Sequence, residues 1–285
     1  MSAGVGRDPA YVLGRSEDEA RRLEEQAKLL DRPTRLLFQD AGITDGMNVL
    51  DIGSGSGDVA LLAGELVGAT GQVVGVDLNP AIVASANARA RTGGMKHVSF
   101  IEGDIREVEL ARDFDAVVGR FVLMYSADPA ATLRTALRAV RDKGLAAFYE
   151  VNIGSGVASY PTSPLHQSRG RWGTETFRRA GMEMAMGTKL HEVFLAAGLE
   201  APQMYTDALI GGGREWVERF VSAFGASQLR SLMPQILQLG VATKDEIGIE
   251  TFDARYREEV LSQGSILQWY SCVGAWARKR PAVQT

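Results

Sequence analysis

A single cysteine, Cys272, stands among 285 residues, which excludes any internal disulfide. Its neighbours are mostly apolar, so it reads as a packed core thiol and not a nucleophile. Histidine is nearly as scarce, with only His97, His166 and His191, and no metal ligand set is expected. Neither sign of charge is in excess: 31 basic and 35 acidic residues leave a net charge of −4. No cluster of Lys or Arg is dense enough for a nucleic-acid-binding face. The run Arg138 to Lys143 reads instead as the solvated end of a helix. Neither a signal peptide nor a membrane-spanning apolar run is seen, so a cytoplasmic location is expected.

What is present is a chain with 45% hydrophobic residues, enough for a substantial core and more consistent with one enlarged domain than two small ones. Its most informative stretch is Val49-Leu50-Asp51-Ile52-Gly53-Ser54-Gly55-Ser56-Gly57-Asp58. An apolar run here breaks into alternate glycines, as a buried strand does when it enters a turn that a large polar ligand can approach closely. This selects a nucleotide-type cofactor site. The dinucleotide fingerprint places its third glycine three residues after the second. That position is Asp58, and the glycine comes one residue early, at Gly57, which counts against nicotinamide or flavin. Val59 to Val67 has the apolar spacing of a helix ended by Gly68. Gly71 to Asp77 follows as a second strand, ending in a carboxylate about 20 residues past the last glycine. An acid there can accept both hydroxyls of a ribose, with roughly 1.5–3 kcal/mol per charge-assisted bond.

The G-x-G-x-G pattern, Asp77, the strand and acid at Val98 to Ile105 and the strand Phe114 to Arg120 together resemble the Rossmann-like S-adenosylmethionine-dependent methyltransferases. Within these the chain is most similar to the ubiquinone/menaquinone-type small-molecule enzymes. The resemblance covers residues 47–151, and beyond them only the strand pattern continues. It implies an α/β fold with a seven-stranded mixed sheet, the seventh strand inserted antiparallel between the fifth and sixth. It also implies S-adenosyl-L-methionine as cofactor, held by Asp51, Gly53, Ser54, Gly55, Gly57, Asp77 and Leu78. Asp104 would accept from the adenine amino group and Ile105 would offer a backbone donor. Arg120 and Phe121 would lie beside the methionine part. A helix at about Pro129 to Arg141 and a turn at Lys143-Gly144 lead to the fifth strand, Leu145 to Val151.

Residues 1–42 read as a helical arm. Ser16-Glu17-Asp18-Glu19 has the form of a capping box, and Ala20, Leu23, Ala27 and Leu30 share one face. From Arg15 to Arg35 there are six basic and six acidic residues, a balanced solvated face. Asp31-Arg32-Pro33 is expected to break the helix, with a second short helix running to about Ala41. Tyr11 and Gln26 are candidates for a cover on the cofactor; the alternative for Tyr11 is an anchor for the arm.

The core, residues 43–151, offers nothing to recognise an acceptor, so that task falls to the second half. A helix at Thr188 to Ala197, a sixth strand at Ala201 to Ile210 and a seventh at Ser265 to Arg278 complete the sheet within residues 188–210 and 265–285. Residues 152–187 and 211–264 read as a helical lid. Trp216, Val217, Phe220, Val221 and Phe224 form one stripe; Thr243-Lys244-Asp245-Glu246 caps a helix carrying Phe252, Tyr256 and Val260; Pro234 should kink or stop the helix between them. The aromatics imply a hydrophobic small-molecule acceptor, the alternative being that they hold the lid to the core or to a second subunit in a homo-oligomer.

Methyl transfer is an in-line displacement in which alignment can supply roughly 7–11 kcal/mol, so a base is optional. Its candidates are His166, in a loop of the acceptor region, Glu150 at the end of the fifth strand, and Tyr11. Glu150 has the alternative of pairing with a nearby arginine. His191 reads as surface or packing, and His97 lies on the wrong side. Oxygen, nitrogen and carbon acceptors all remain open. The rival functions are an NAD(P)-dependent oxidoreductase and a cofactor-binding cyclase or binding module without methylation.

Overall fold

Apolar runs bounded by glycine or an acid become the parallel strands of a computed structural model that describes residues 17–111 and 113–280. In chain order, α1 (Glu17–Ala41), β1 (Asn48–Ile52), α2 (Asp58–Val67), β2 (Gln72–Asp77), α3 (Pro80–Thr92), β3 (Val98–Glu102) and β4 (Phe114–Arg120) come first. Then follow α4 (Pro129–Ala136), β5 (Val140–Asn152), β6 (Ala158–Tyr160), α5 (Pro164–Arg179), α6 (Met186–Ala197) and β7 (Gln203–Gly211). The chain closes with α7 (Arg214–Phe224), α8 (Ala226–Gln238), α9 (Lys244–Ile247), α10 (Phe252–Gln263) and β8 (Ile266–Arg278). The sheet order is β3-β2-β1-β4-β5-β8-β6, with β7 also pairing with β8. The expected insertion of the last strand between the fifth and sixth major strands is therefore present, and the short β6 makes the sheet eight-stranded instead of seven. β6 pairs antiparallel with the first residues of β8, and an antiparallel bridge joins Leu199 to Lys279.

Two compact units share the chain. The sheet unit comprises Asp31–Glu150, Met186–Thr206 and the residues from Val273 onward. Its strands β1, β2, β3, β4 and β5 pair in parallel, and Val49, Leu50, Val73, Val117 and Val118 are fully buried. Strands covered on both faces read as continuous apolar runs, as these do. Helix α2 packs on β1 and β2, and α3 on β2 and β3. Asn79 caps α3, its side chain accepting from Ala81 N at 3.0 Å, with Pro80 in the first turn where no amide is required.

Two helix boundaries differ from the sequence expectation, and of the two outcomes expected at Pro234, a kink or a stop, the stop is not seen. Helix α1 runs unbroken through Pro33: Asp31 and Arg35 bridge the proline at 3.4 Å, its carbonyl accepts from the Tyr205 hydroxyl at 3.1 Å, and Leu37 and Phe38 are fully buried just beyond it. Helix α4 stops at Ala136, and residues 140–144 belong to β5. Arg141 is thus a strand residue paired with Asp115 at 2.7 Å, not the end of a helix. Helix α8 continues past Pro234 to Gln238.

The helical unit holds the described residues up to Leu30, Val151–Ala185 and Asp207–Cys272. Here the capping box of Thr243 and Glu246 closes only the single turn of α9; Gly248, left-handed at φ 58°, ends it, and α10 starts anew at Phe252. Phe220 and Phe224 are fully buried. Trp216, Phe220, Phe224 and Trp269 form a ladder of rings with centroids 4.9, 5.1 and 4.5 Å apart. Burial of this kind holds the helices together. Cys272 is buried and forms no disulfide.

Candidate functional site

The three glycines after β1 have different reasons for lacking a side chain. All are left-handed, at φ 62°, 52° and 89° for Gly53, Gly55 and Gly57. A Cβ on Gly53 would run into the Val122 side chain, and one on Gly57 would stand 2.6 Å from the Phe100 ring. Only Gly55 faces open space, with nothing within 4 Å of its missing Cβ. Close backbone approach by a ligand is therefore available at Gly55, while Gly53 and Gly57 are small for internal packing.

Asp77 fixes this loop from the end of β2. Its carboxylate accepts from Gly55 N at 2.9 Å and from Asn79 N at 2.9 Å, leaving lone pairs on both oxygens. A second brace is a residue that sequence reading missed. Arg89, on α3, donates to Ser56 O at 2.5 Å and pairs with Asp58 at 2.8 Å, while Ser56 Oγ also donates to Asp58 at 2.7 Å. Nothing local marks Arg89 for this, since it lies 31 residues from Asp58.

Asp51 lies in β1 directly before the loop. It is 1% exposed, and neither carboxylate oxygen has a hydrogen-bond partner. Burial pushes its carboxyl well above the usual range, with Arg120 opposing the shift and Asp77 adding to it. Ser54, 6% exposed, likewise leaves its hydroxyl oxygen without a partner. Arg120 donates to Thr34 Oγ1 at 3.1 Å. Burial lowers its guanidinium, and the carboxylates of Asp58 and Asp51 hold it up.

Phe121 follows in a left-handed conformation, φ 54°, its amide donating to Tyr149 O at 2.9 Å. A bulky residue there is a strained outlier of the kind found at ligand clamps. The short 3-10 turn Leu123–Tyr125 comes next. Its entry is capped by Glu150, whose Oε1 accepts from Val122 N at 2.9 Å and Leu123 N at 2.8 Å. Of the two readings of Glu150, base or arginine partner, the second is not met among the described residues, where it is bound to backbone amides. Its Oε2 is buried without a partner, and burial pushes the carboxyl up to about 7.

At the end of β3, Asp104 accepts from the Arg106 amide at 2.9 Å and from its guanidinium at 2.5 Å, which holds the carboxyl below its usual range. Ile105 beside it is half-buried. Leu78, 61% exposed, offers an apolar surface next to Asp77.

His166 is not in a loop but in the first turn of α5, in the helical unit and fully buried. Its Nδ1 pairs with the Tyr256 hydroxyl at 2.5 Å and its Nε2 with Gln268 O at 3.0 Å. A carbonyl can only accept, so Nε2 carries the proton and Nδ1 accepts from tyrosine. Burial, with Arg169 adding to it, lowers the imidazole to about 3. Both nitrogens are engaged and the ring stays neutral, which describes a packing histidine. Gln26, also in the helical unit, accepts from Arg22 at 2.5 Å. Tyr11 and Ser16 lie outside the described residues. His191 is exposed on α6, and His97 pairs with Gly64 O at 3.0 Å.

A family model described as a methyltransferase domain matches residues 43–192. An arsenite methyltransferase of Aquipseudomonas alcaligenes is 39% identical over 117 residues, covering 38% of this chain and 34% of that protein. The ubiquinone/menaquinone biosynthesis C-methyltransferase UbiE of Pseudomonas putida is 31% identical over 112 residues, 39% of this chain and 44% of that protein. The chain thus spans between a third and a half of the length of these curated relatives. Among solved structures, the YcgJ protein of Bacillus subtilis superposes with a TM-score of 0.55 at 18% identity, over 88% of this chain and 100% of that one. The [4+2]-cyclase SpnF does so with a TM-score of 0.52 at 19% identity, over 88% and 82%. These two likenesses concern the fold.

Proposed function

We infer the reaction from one premise: the chain belongs to the methyltransferase-domain family, whose model covers residues 43–192. We propose that it transfers a methyl group from S-adenosyl-L-methionine to a hydrophobic small-molecule acceptor in secondary metabolism or quinone-like biosynthesis. The observation that carries this reading is Asp51. A buried carboxylate without a partner costs several kcal/mol unless a cationic group meets it, and the ammonium of the donor's methionine part has that chemistry. The rest of the loop fits the same ligand. Gly55 leaves room for close approach, Asp77 retains lone pairs for two ribose hydroxyls, and Leu78 offers apolar surface to the adenine.

Asp58 argues against a dinucleotide. It stands where that fingerprint has its third glycine, fixed at the N-terminus of α2 by Arg89 and Ser56. A carboxylate there would repel a pyrophosphate from the helix terminus that normally binds it.

When bound, the donor supplies a methyl group already activated on a sulfonium, so the protein's task is alignment and exclusion of water. In this reading Asp51 and Asp77 would bind the two charged or polar ends, Asp104 and Ile105 would meet the adenine edge, and Arg120 and Phe121 would lie beside the methionine part. Glu150 holds the 3-10 turn beside Phe121 through two amides and places a protonatable oxygen next to it. With a carboxyl near 7, it is the group of this unit suited to take a proton from a phenol or amine acceptor. Acceptor recognition we place in the helical unit, on the strength of its aromatic side chains.

The test is calorimetric binding of S-adenosylhomocysteine and of NAD to the purified chain, followed by transfer of labelled methyl to a panel of phenols, indoles, terpenoids and quinone precursors. S-adenosylhomocysteine binding and label on at least one acceptor are expected. NAD binding without S-adenosylhomocysteine binding would overturn the reading. Donor binding without transfer to any acceptor would favour the cyclase or binding module.

A further inference from the structure

Arg169 lies in α5, in the helical unit, and is 2% exposed. A guanidinium at that depth normally faces a carboxylate, because an unpaired buried charge is among the costliest groups a fold can hold. No carboxylate pairs with this one among the described residues. Its Nη1 donates to the Gln228 side chain at 3.0 Å and to Phe224 O at 3.3 Å, both neutral acceptors. The Phe220 ring adds a cation–π contact at 5.6 Å. Nε and Nη2 are buried and donate to nothing.

Those two nitrogens are not an arbitrary pair. Nε–H and Nη2–H point the same way from the guanidinium plane's outer edge, which is the side-on fork that receives both oxygens of a carboxylate. Two acids of this unit are committed elsewhere: Glu259 accepts from Ser163 Oγ and Leu165 N, and Asp253 from Ala226 N. His166 is held neutral, and burial raises the Tyr256 hydroxyl that lies against Arg169 above its usual range, so both neighbours remain uncharged and neither supplies a counter-charge. The surroundings are apolar, with Phe220 and Phe224 fully buried.

We propose that Arg169 is a binding residue for the carboxylate of a hydrophobic carboxylic acid, whose apolar body packs against the Phe220 and Phe224 rings of the helical unit. Under the function proposed above, on which this rests for its biological meaning, that acid is the methyl acceptor or its carrier end. The donors are enclosed, so the carboxylate is taken into the unit's interior and desolvated there. This fits the aromatic surface that meets the guanidinium at the Phe220 ring. It also selects against the uncharged amide of the same acid, which cannot fill both donors with acceptors.

The experiment titrates the full chain with benzoate, cinnamate, indole-3-carboxylate and decanoate and with the four matching amides, read by tryptophan fluorescence. Arg169→Met is measured in parallel, with S-adenosylhomocysteine binding by calorimetry for both proteins. At least one carboxylate is expected to bind tenfold or more tightly than its amide, the preference vanishing in Arg169→Met while S-adenosylhomocysteine affinity stays unchanged. Arg169→Met is expected to melt at or above the wild-type temperature, since an apolar side chain replaces an uncompensated charge. No carboxylate preferred over its amide, or a preference surviving in Arg169→Met, would overturn the assignment. So would a variant melting well below the wild type, which would mark Arg169 as a structural cross-link. Failure of S-adenosylhomocysteine to bind the wild type strikes the methyltransferase reading alone and leaves the carboxylate result standing.

Discussion

The Phe100 ring occupies the place of a side chain on Gly57, 2.6 Å from where its Cβ would stand. Phe100 comes from β3 and also crowds Gly75 of β2, so one aromatic ring determines two small residues on neighbouring segments. At Gly55, two residues from Gly57, nothing lies within 4 Å of where a Cβ would stand.

The difference separates stability from binding. Gly57→Ala combines a left-handed alanine, about 1–2 kcal/mol, with overpacking of about 1–3 kcal/mol, so a loss of roughly 2–5 kcal/mol is expected. Gly55→Ala carries only the conformational cost, about 1–2 kcal/mol, but places a methyl on the open face of the loop. Urea unfolding and calorimetry with S-adenosylhomocysteine should therefore rank the two variants in opposite orders. Equal loss of affinity in both would show that the open face of Gly55 is not where the donor lies.

Asp51 and Asp77 should both matter to the ligand and differ in their effect on the fold. Asp77→Ala removes the acceptor for two ribose hydroxyls and for the Gly55 and Asn79 amides, and a fall of about 100-fold or more in S-adenosylhomocysteine affinity is expected. Asp51→Asn relieves an unpaired buried carboxylate, so its melting temperature should hold or rise while affinity falls about 10- to 100-fold. A clear drop in melting temperature for Asp51→Asn would mean that the fold, and not a ligand, needs that charge.

Much of the sheet unit was legible because its strands are apolar runs ended by glycine or an acid, and both signals are local. Asp77 could be found from its place at the end of such a run. The errors fall where a distant group overrides a local one. Pro33 breaks a helix on propensity, yet α1 runs through it, with Leu37 and Phe38 fully buried beyond and the Tyr205 hydroxyl donating to the Pro33 carbonyl. Residues 140–144 extend the helical charge pattern of α4, but Asp115 recruits Arg141 into a strand. The site behaves the same way. That Glu150 caps amides 28 and 27 residues earlier, or that Arg89 braces Asp58, is fixed by strand register and helix packing. His166, expected in a loop, lies in the first turn of α5, whose N-cap is Ser163.

Glu150 should make stability fall as pH rises through neutrality. Its carboxyl is raised by burial from 4.5 to about 7, so between those values the native state holds a proton that the unfolded chain has released. The unfolded state then binds fewer protons, and the slope of unfolding free energy with pH is negative, amounting to ~3 kcal/mol across the window. Glu150→Gln keeps an acceptor for Val122 and Leu123 and removes the titration. Denaturant midpoints from pH 5 to 8 should decline more steeply for the wild type than for the variant, and parallel curves would place the carboxyl's titration outside that range.

His166 should act with the opposite sign and without touching chemistry. Its imidazole is lowered to about 3 by burial and by Arg169, so between that value and 6.5 the unfolded chain binds a proton the native state refuses. Stability from this group therefore rises with pH through the window and is complete above it, where Glu150 is still losing its contribution. His166→Ala deletes a ring that receives the Tyr256 hydroxyl and donates to Gln268 O, leaving a buried cavity and two unmade hydrogen bonds. A loss of roughly 2–4 kcal/mol is expected. His166→Gln, which retains a polar contact to one of the two, should lose less. Because the ring is neutral and both nitrogens are engaged, the pH dependence of kcat for methyl transfer in His166→Gln should overlay that of the wild type once folded protein is matched. Disappearance of a limb of that profile would return His166 to the role of a base.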